Sequence, residues 1–309
     1  MALGEAIKQD FILILSKPKG AQAVVDLPNS TTDDCCFSLP VLALPTGGDS
    51  FTNDFSAALF WFGENYSAAT LYLQKYENGA WGNIATLTND TYGKNYAYGF
   101  EVNELGEKLA GYKINWQSVL SAEGEGDYRI KAEATLITSG TDDFFSLEYC
   151  LKRYTPYRAD FTVRLEFTNS GITGDIEDDE GVKDYGTLDW VNQIRLPDSL
   201  FGYDNSTSAR EFVRYQNGQQ IWIQDEQTQK YKLVTGRFPS WLHNYIKINV
   251  LQSDEIKITD YNKNNANIHK DRKVIVSGDY SPEWVLGSQF AKVEVEFDNA
   301  FVNHRKKRC

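Results

Sequence analysis

The sequence predicts a mainly β protein: two antiparallel β-sandwich-like domains with long loops and little helix. Three observations lead to this. Asn-Gly turns separate aromatic-rich runs, apolar and polar residues alternate with period two, and no apolar period of 3.6 is sustained over about 15 positions.

The first hairpin is read at Thr70-Leu71-Tyr72-Leu73-Gln74-Lys75-Tyr76, the turn Glu77-Asn78-Gly79, and Ala80-Trp81-Gly82-Asn83-Ile84-Ala85. Asn and Gly tolerate the positive φ of a type I′ turn, so this is a strong short-range hairpin signal. The device recurs at Arg214–Ile223 around Asn217-Gly218, so each half of the chain is expected to hold its own sheet. Alternation marks Tyr128–Ala134, Phe161–Phe167, Ile246–Val250 and Val293–Phe297 as strands with one buried face. Helix is expected only as a turn within 101–110 and a short capped segment from Asn115 to Leu120. Gly140–Phe145 and Asn169–Asp189 read as loops. The expected domains are 1–145, with an extended arm over residues 1–20, and 146–309, with an acidic insertion near 170–189. A boundary near 170 is the alternative.

With 309 residues, the chain is long enough for about two domains and their cores. Its 18 Tyr, 17 Phe and 7 Trp favour strands and also supply contact area at interfaces. The formal net charge of −12 argues against a broad grip on nucleic acid, which needs Lys and Arg on phosphates. The exception is the tail His304-Arg305-Lys306-Lys307-Arg308, read either as a solvated terminus or as a contact to an acidic neighbour or nucleic acid.

Cys35, Cys36, Cys150 and Cys309 show no C-x-x-C spacing, and adjacent cysteines rarely bond each other. Neither a disulfide framework nor a zinc site is expected, and folding in a reducing cytoplasm fits. The apolar run Phe11–Leu15 is too short for a signal peptide core, and no stretch approaches the ~18 apolar residues of a membrane helix.

The search for chemistry yields little. His243, His269 and His304 are isolated in sequence, with no metal-ligand spacing, nucleophile elbow or phosphate loop near them. Asp175, Glu177 and Asp179 alternate like the first ligands of a calcium loop. Glu180, however, occupies the position where the sharp bend needs glycine. Paired carboxylates for glycoside hydrolysis are not visible in sequence spacing, and no cofactor is expected.

Two stretches carry a resemblance. Ser253-Asp254-Glu255-Ile256-Lys257-Ile258-Thr259-Asp260-Tyr261-Asn262-Lys263-Asn264-Asn265 is similar to a strand and polar turn of virion proteins of phages infecting Bacteroidota. Tyr66–Thr135, with its Lys75-Tyr76-Glu77-Asn78-Gly79-Ala80-Trp81 hairpin, resembles their N-terminal domain. The group is identified as the tail and head-to-tail connector proteins of crAss-like podoviruses, and the likeness covers about half the chain. It implies a non-enzymatic, ring-forming subunit with sixfold or twelvefold symmetry, assembled in the host cytoplasm and carried in the virion tail. Its partners would be copies of itself and other tail or portal-proximal proteins, with DNA passing nearby and no membrane.

The expected interface elements are the N-terminal arm, the acidic residues Asp178, Asp179 and Glu180, and the basic residues Arg305, Lys306, Lys307 and Arg308. Insertion and tail would pair between neighbours. A glycan-binding module or glycosidase of sandwich type is the alternative.

Overall fold

The computed structural model describes residues 17–18, 38–62, 65–102, 108–168, 175–178, 181–184, 191–204, 207–216, 220–262, 269–284, 290–301 and 303–306. It is mainly β, with several antiparallel sheets and few helices. None of the described helices is long and apolar enough to cross a membrane. Two compact units emerge: Met1–Ala159 with Glu166–Arg195, and Asp160–Leu165 with Leu196–Cys309. The division falls after Ala159 rather than at residue 145, and the acidic segment belongs to the N-terminal unit rather than the second.

In the N-terminal unit, the strand Gly126–Leu136 is the spine of the larger sheet. It pairs antiparallel with Tyr66–Glu77, Thr141–Phe145 and Tyr149–Arg153. Alternate residues Tyr128, Ile130, Ala132 and Ala134 are fully buried, as the period-two pattern requires. Leu39–Ala43 joins in parallel beside Tyr149–Arg153. A second sheet orders Phe55–Phe62, Lys108–Asn115 and Gly93–Val102. Phe62 of this sheet packs edge-on against Phe144 of the larger one at 5.2 Å, so the core lies between them.

Tyr66–Glu77 and Ala80–Thr86 form the expected hairpin. Asn78 and Gly79 have φ of 54° and 81°, and Tyr76 meets Trp81 across it at 5.3 Å. A side chain at Gly79 would meet open space, so only its backbone conformation is at stake. Gly79→Val should cost about 1 kcal/mol or more of unit stability, read as a lower urea midpoint.

Several expectations are corrected. Residues 101–110 hold no described helical turn: the two flanking segments are strands paired with each other, and 103–107 lie outside the described residues. Thr141–Phe145 is a strand, because Gly140 at φ 97° closes a tight return and Phe144 supplies a buried side chain. Within Asn169–Asp189, Asp175–Asp178 pairs antiparallel with Gly181–Asp184, so the acidic segment is a hairpin and not an open loop.

The helix Trp116–Glu123 forms where a cap was read. The Asn115 carboxamide oxygen accepts the Gln117 N–H at 3.0 Å. Cys150 is buried and disulfide-bonded, which corrects the disulfide-free expectation. Cys35, Cys36 and Cys309 lie outside the described residues, as do Phe11–Leu15 and all of the N-terminal arm but Lys17–Pro18.

In the C-terminal unit, the core sheet runs Val163–Thr168, Glu255–Asp260, Arg272–Val276, Glu294–Asn299, Lys230–Val234, Leu200–Tyr203; residues 163–165 of the first strand belong to this unit. Val293, Val295 and Phe297 are buried and alternate with exposed Glu294 and Glu296, as expected. Ile246–Val250 is not a strand. The helix Ser240–Tyr245 continues through it as a π-helical turn, burying Leu242, Tyr245, Ile246, Asn249 and Val250. That spacing of three and four is helical, and the five-residue alternation read in the sequence is a fragment of it.

Candidate functional site: an assembly arm and a polar groove

Three neighbouring strands of the C-terminal core sheet do not stop at its edge. Leu200–Tyr203 leads to Thr207–Arg214, Lys230–Val234 follows from Gln220–Thr228, and Glu294–Asn299 leads to Asn303–Lys306. The second set forms its own three-stranded antiparallel sheet in the same order. At the junction, the Asp204 N–H donates to Lys230 O and the Asn299 N–H to Gln229 O. A register shift at Glu211/Phe212 bulges this arm, and bulges bend strands and re-aim side chains. At ~3.3 Å per residue, the eight residues of Thr207–Arg214 extend about 26 Å. Glu211, Phe212, Arg214, Tyr215 and Gln216 are all exposed along it. Phe212 and Tyr215 each keep 52% of their surface in solvent. The hairpin read around Asn217-Gly218 is this arm, and its turn residues 217–219 lie outside the described residues.

The basic tail enters the arm. His304, Arg305 and Lys306 lie in its third strand, opposite Glu226, Asp225 and Gln224 in backbone register. The backbone of these three residues is thus strand rather than a loose end. Lys307 and Arg308 lie outside the described residues. Of the acidic candidates, Asp175, Glu177 and Asp178 sit on the paired strand, while Asp179 and Glu180 lie outside the described residues. A paired strand is not the loop that the calcium reading requires. Among the described residues, no three His, Cys, Asp or Glu gather as metal ligands.

The Thr259-Asp260-Tyr261-Asn262 motif is a structural corner. Asp260 accepts the N–H groups of Asn262 at 2.8 Å and Phe201 at 3.1 Å, while the Asn262 amide donates to Ser199 O at 3.0 Å. Thr259 bonds Asp271, and Arg164, only 2% exposed, lies between Asp271 at 3.6 Å and the Tyr261 ring. Thus the supposed wet face of Phe161–Phe167 is buried at Arg164.

Both histidines described with their side chains are buried. His269 is ringed by Phe201, Tyr203 and Tyr231, and among the described residues its Nδ1 has no hydrogen-bond partner. His243 Nε2 donates to Ala291 O at 3.0 Å, and its Nδ1 shares a 2.7 Å hydrogen bond with the Tyr280 hydroxyl. Burial lowers both pKa values, and Arg272 adds to the effect at His269.

The N-terminal unit holds an open groove of about 1010 Å3. Its rim includes residues 90–93 of the turn, where Asp90 and Tyr92 have φ of 72° and 59°. A tyrosine there is strained. The turn is held by the Tyr112 hydroxyl, which donates to Thr91 O and Thr88 O, and by the Tyr92 hydroxyl, which donates to Glu123 at 2.5 Å. That last bond is the main reason the Tyr92 pKa is pushed up to about 12. Gly93 lets this strand close on its neighbour, since a Cβ there would collide with Lys113 O. Lys94 then lies directly across from Lys113 in register, and both line the groove. Asp54, also in the lining, is locked to Arg195 at 2.8 Å.

Of the groove residues, Asn115 was read from the sequence only as a helix cap, and the lysines were not singled out, because the pairing of Lys94 with Lys113 exists only once the register is known. No family model matches the chain, and neither does any curated protein.

Proposed function

We propose that this chain is a structural subunit that works by assembling with copies of itself and with other proteins. The resemblance noted in the sequence places that role in a phage tail or head-to-tail connector, as a ring of sixfold or twelvefold symmetry. The observation that carries the assembly reading is the arm. A three-stranded ribbon whose first strand is about 26 Å long, exposing Phe212 and Tyr215 at 52% each, presents apolar anchors suited to a neighbouring subunit. A contact of the arm with a different patch on the next copy is heterologous, and such contacts close rings or extend as fibres.

Other exposed large apolar side chains, among them Phe161, Leu200, Ile275 and Phe301, also lie in the C-terminal unit and provide further surface for a partner. The arm replaces the pairing of acidic insertion with basic tail as the leading contact, since the tail already has acidic register partners in its own chain. The glycan-binding alternative calls for a platform of several Trp and Tyr. The groove is lined by one tyrosine and one phenylalanine.

The test is native mass spectrometry with negative-stain microscopy, on particles or lysate. Rings or stacks at discrete multiples of 35.1 kDa are the expected result. Phe212→Asp with Tyr215→Asp should abolish them while leaving a folded monomer, because both side chains are exposed. Assembly unchanged in that variant removes the arm from the interface. A chain that is monomeric and absent from any particle removes the assembly reading altogether.

A further inference from the structure

We propose that the groove of the N-terminal unit binds a hydroxyl-bearing monocarboxylate, of which a uronate sugar is the simplest example. Lys94 and Lys113 carry the argument. Like charges directly opposite on antiparallel strands repel each other, yet the backbone enforces this pair. Gly93 closes tightly on Lys113 O, and the strained Asp90–Tyr92 turn is pinned by two tyrosine hydroxyls. Strain and repulsion held together at the rim of a groove are what a preorganised anion site costs in the free protein.

Among the described residues neither lysine makes an ion pair. The Lys113 ammonium sits 3.7 Å over the Phe55 ring. The carboxylate that acts on it, Glu166, receives the Gln193 amide at 2.7 Å. Asp54 is already neutralised by Arg195, so it does not cancel the lysines.

The rest of the lining selects the kind of anion. Asp49 and Asp90 line the groove with the two lysines, and Glu166 acts on Lys113, so a second negative charge on the ligand is disfavoured and a single carboxylate beside the lysines suits the site better than a dianionic phosphate. Asn115, Gln117 and Ser118 line the same groove and can exchange hydrogen bonds with hydroxyls. A ligand carrying one carboxylate and several hydroxyls uses both features, and it is held by charge rather than by aromatic stacking. The site lies wholly within the N-terminal unit, so it stands or falls independently of the arm.

The experiment is calorimetric titration of the full chain at constant ionic strength with sodium glucuronate, glucose and inorganic phosphate. Saturable glucuronate binding is expected, with glucose and phosphate each weaker by about tenfold or more. Lys113→Met and Lys94→Met should each weaken glucuronate by about tenfold or more. Lys273→Met, at an exposed ion pair in the other unit, should leave it unchanged. Lys113→Gln provides a second variant should the Met substitution disturb the sheet. Absence of saturable glucuronate binding overturns the proposal, as does binding indifferent to both groove lysines. Phosphate binding as tight as glucuronate overturns the monocarboxylate assignment.

Discussion

Replacing Asp54 with alanine should destabilise the N-terminal unit by about 3–5 kcal/mol. Its carboxylate takes a two-pronged grip on Arg195, with Nε and Nη2 both at 2.8 Å, and also accepts the Leu42 N–H at 2.8 Å. Both side chains are almost wholly buried, at 1% and 2% exposure. Without Asp54 the buried guanidinium loses the carboxylate that grips it at two nitrogens, and total stabilities of about 5–15 kcal/mol leave little margin for that. The expected result is a large fall in the urea midpoint, or failure to fold. The double variant Asp54→Leu with Arg195→Met should recover most of the loss, because a well-packed apolar pair does not incur the desolvation of two charges. If the double variant is no better than Asp54→Ala, packing rather than unpaired charge governs the site.

The C-terminal unit should be labile in mild acid. His243 and His269 are neutral in the fold, and burial holds their pKa values below the ordinary 6.5. Above pH 6.5 folded and unfolded chains hold the same protons on these groups, so stability is unaffected. Below it the unfolded chain takes up protons that the folded chain refuses. Stability then falls by up to about 1.4 kcal/mol per pH unit for each histidine until the folded pKa is reached. Carboxylates held by cations, such as Glu255 beside Lys273, lose their contribution only at lower pH, below their ordinary 4.5.

Urea unfolding at pH 7.5 and 5.5, followed by hydrogen exchange on peptides of this unit, should show a lower midpoint at pH 5.5. His269→Phe should remove part of the difference, since the ring sits among three aromatic rings and among the described residues its Nδ1 has no hydrogen bond to lose. Equal midpoints at the two pH values would dismiss the effect.

Local patterns in the sequence reported local structure. The Asn78-Gly79 turn, the Tyr128–Ala134 alternation and the Asn115 cap each depend on a few adjacent residues, and each is found in the structure. What the sequence hid depends on long-range geometry. Asp54 and Arg195 lie 141 positions apart, and nothing near either one marks the other as its partner. Arg164 looked like a solvent-facing residue because alternation assigns faces but not what covers them; Tyr261 and Asp271 cover this one. Ile246–Val250 misled because five residues are too few to distinguish a strand from a buried helical turn. The same limit hid the groove: the lysines are ordinary in sequence, and only register makes them neighbours.

The strands that pass from the core sheet into the arm have a mechanical consequence. A tug on the arm is led along the strand axes toward the core sheet, because its three strands are each next in sequence to one of three neighbouring core strands and keep their order. Loaded in that direction, the cross-strand hydrogen bonds share the force and must shear together instead of opening one after another. The arm is therefore built as a tension member anchored in the core sheet of its unit, and the two sheets meet where the Asp204 and Asn299 N–H groups bond Lys230 O and Gln229 O.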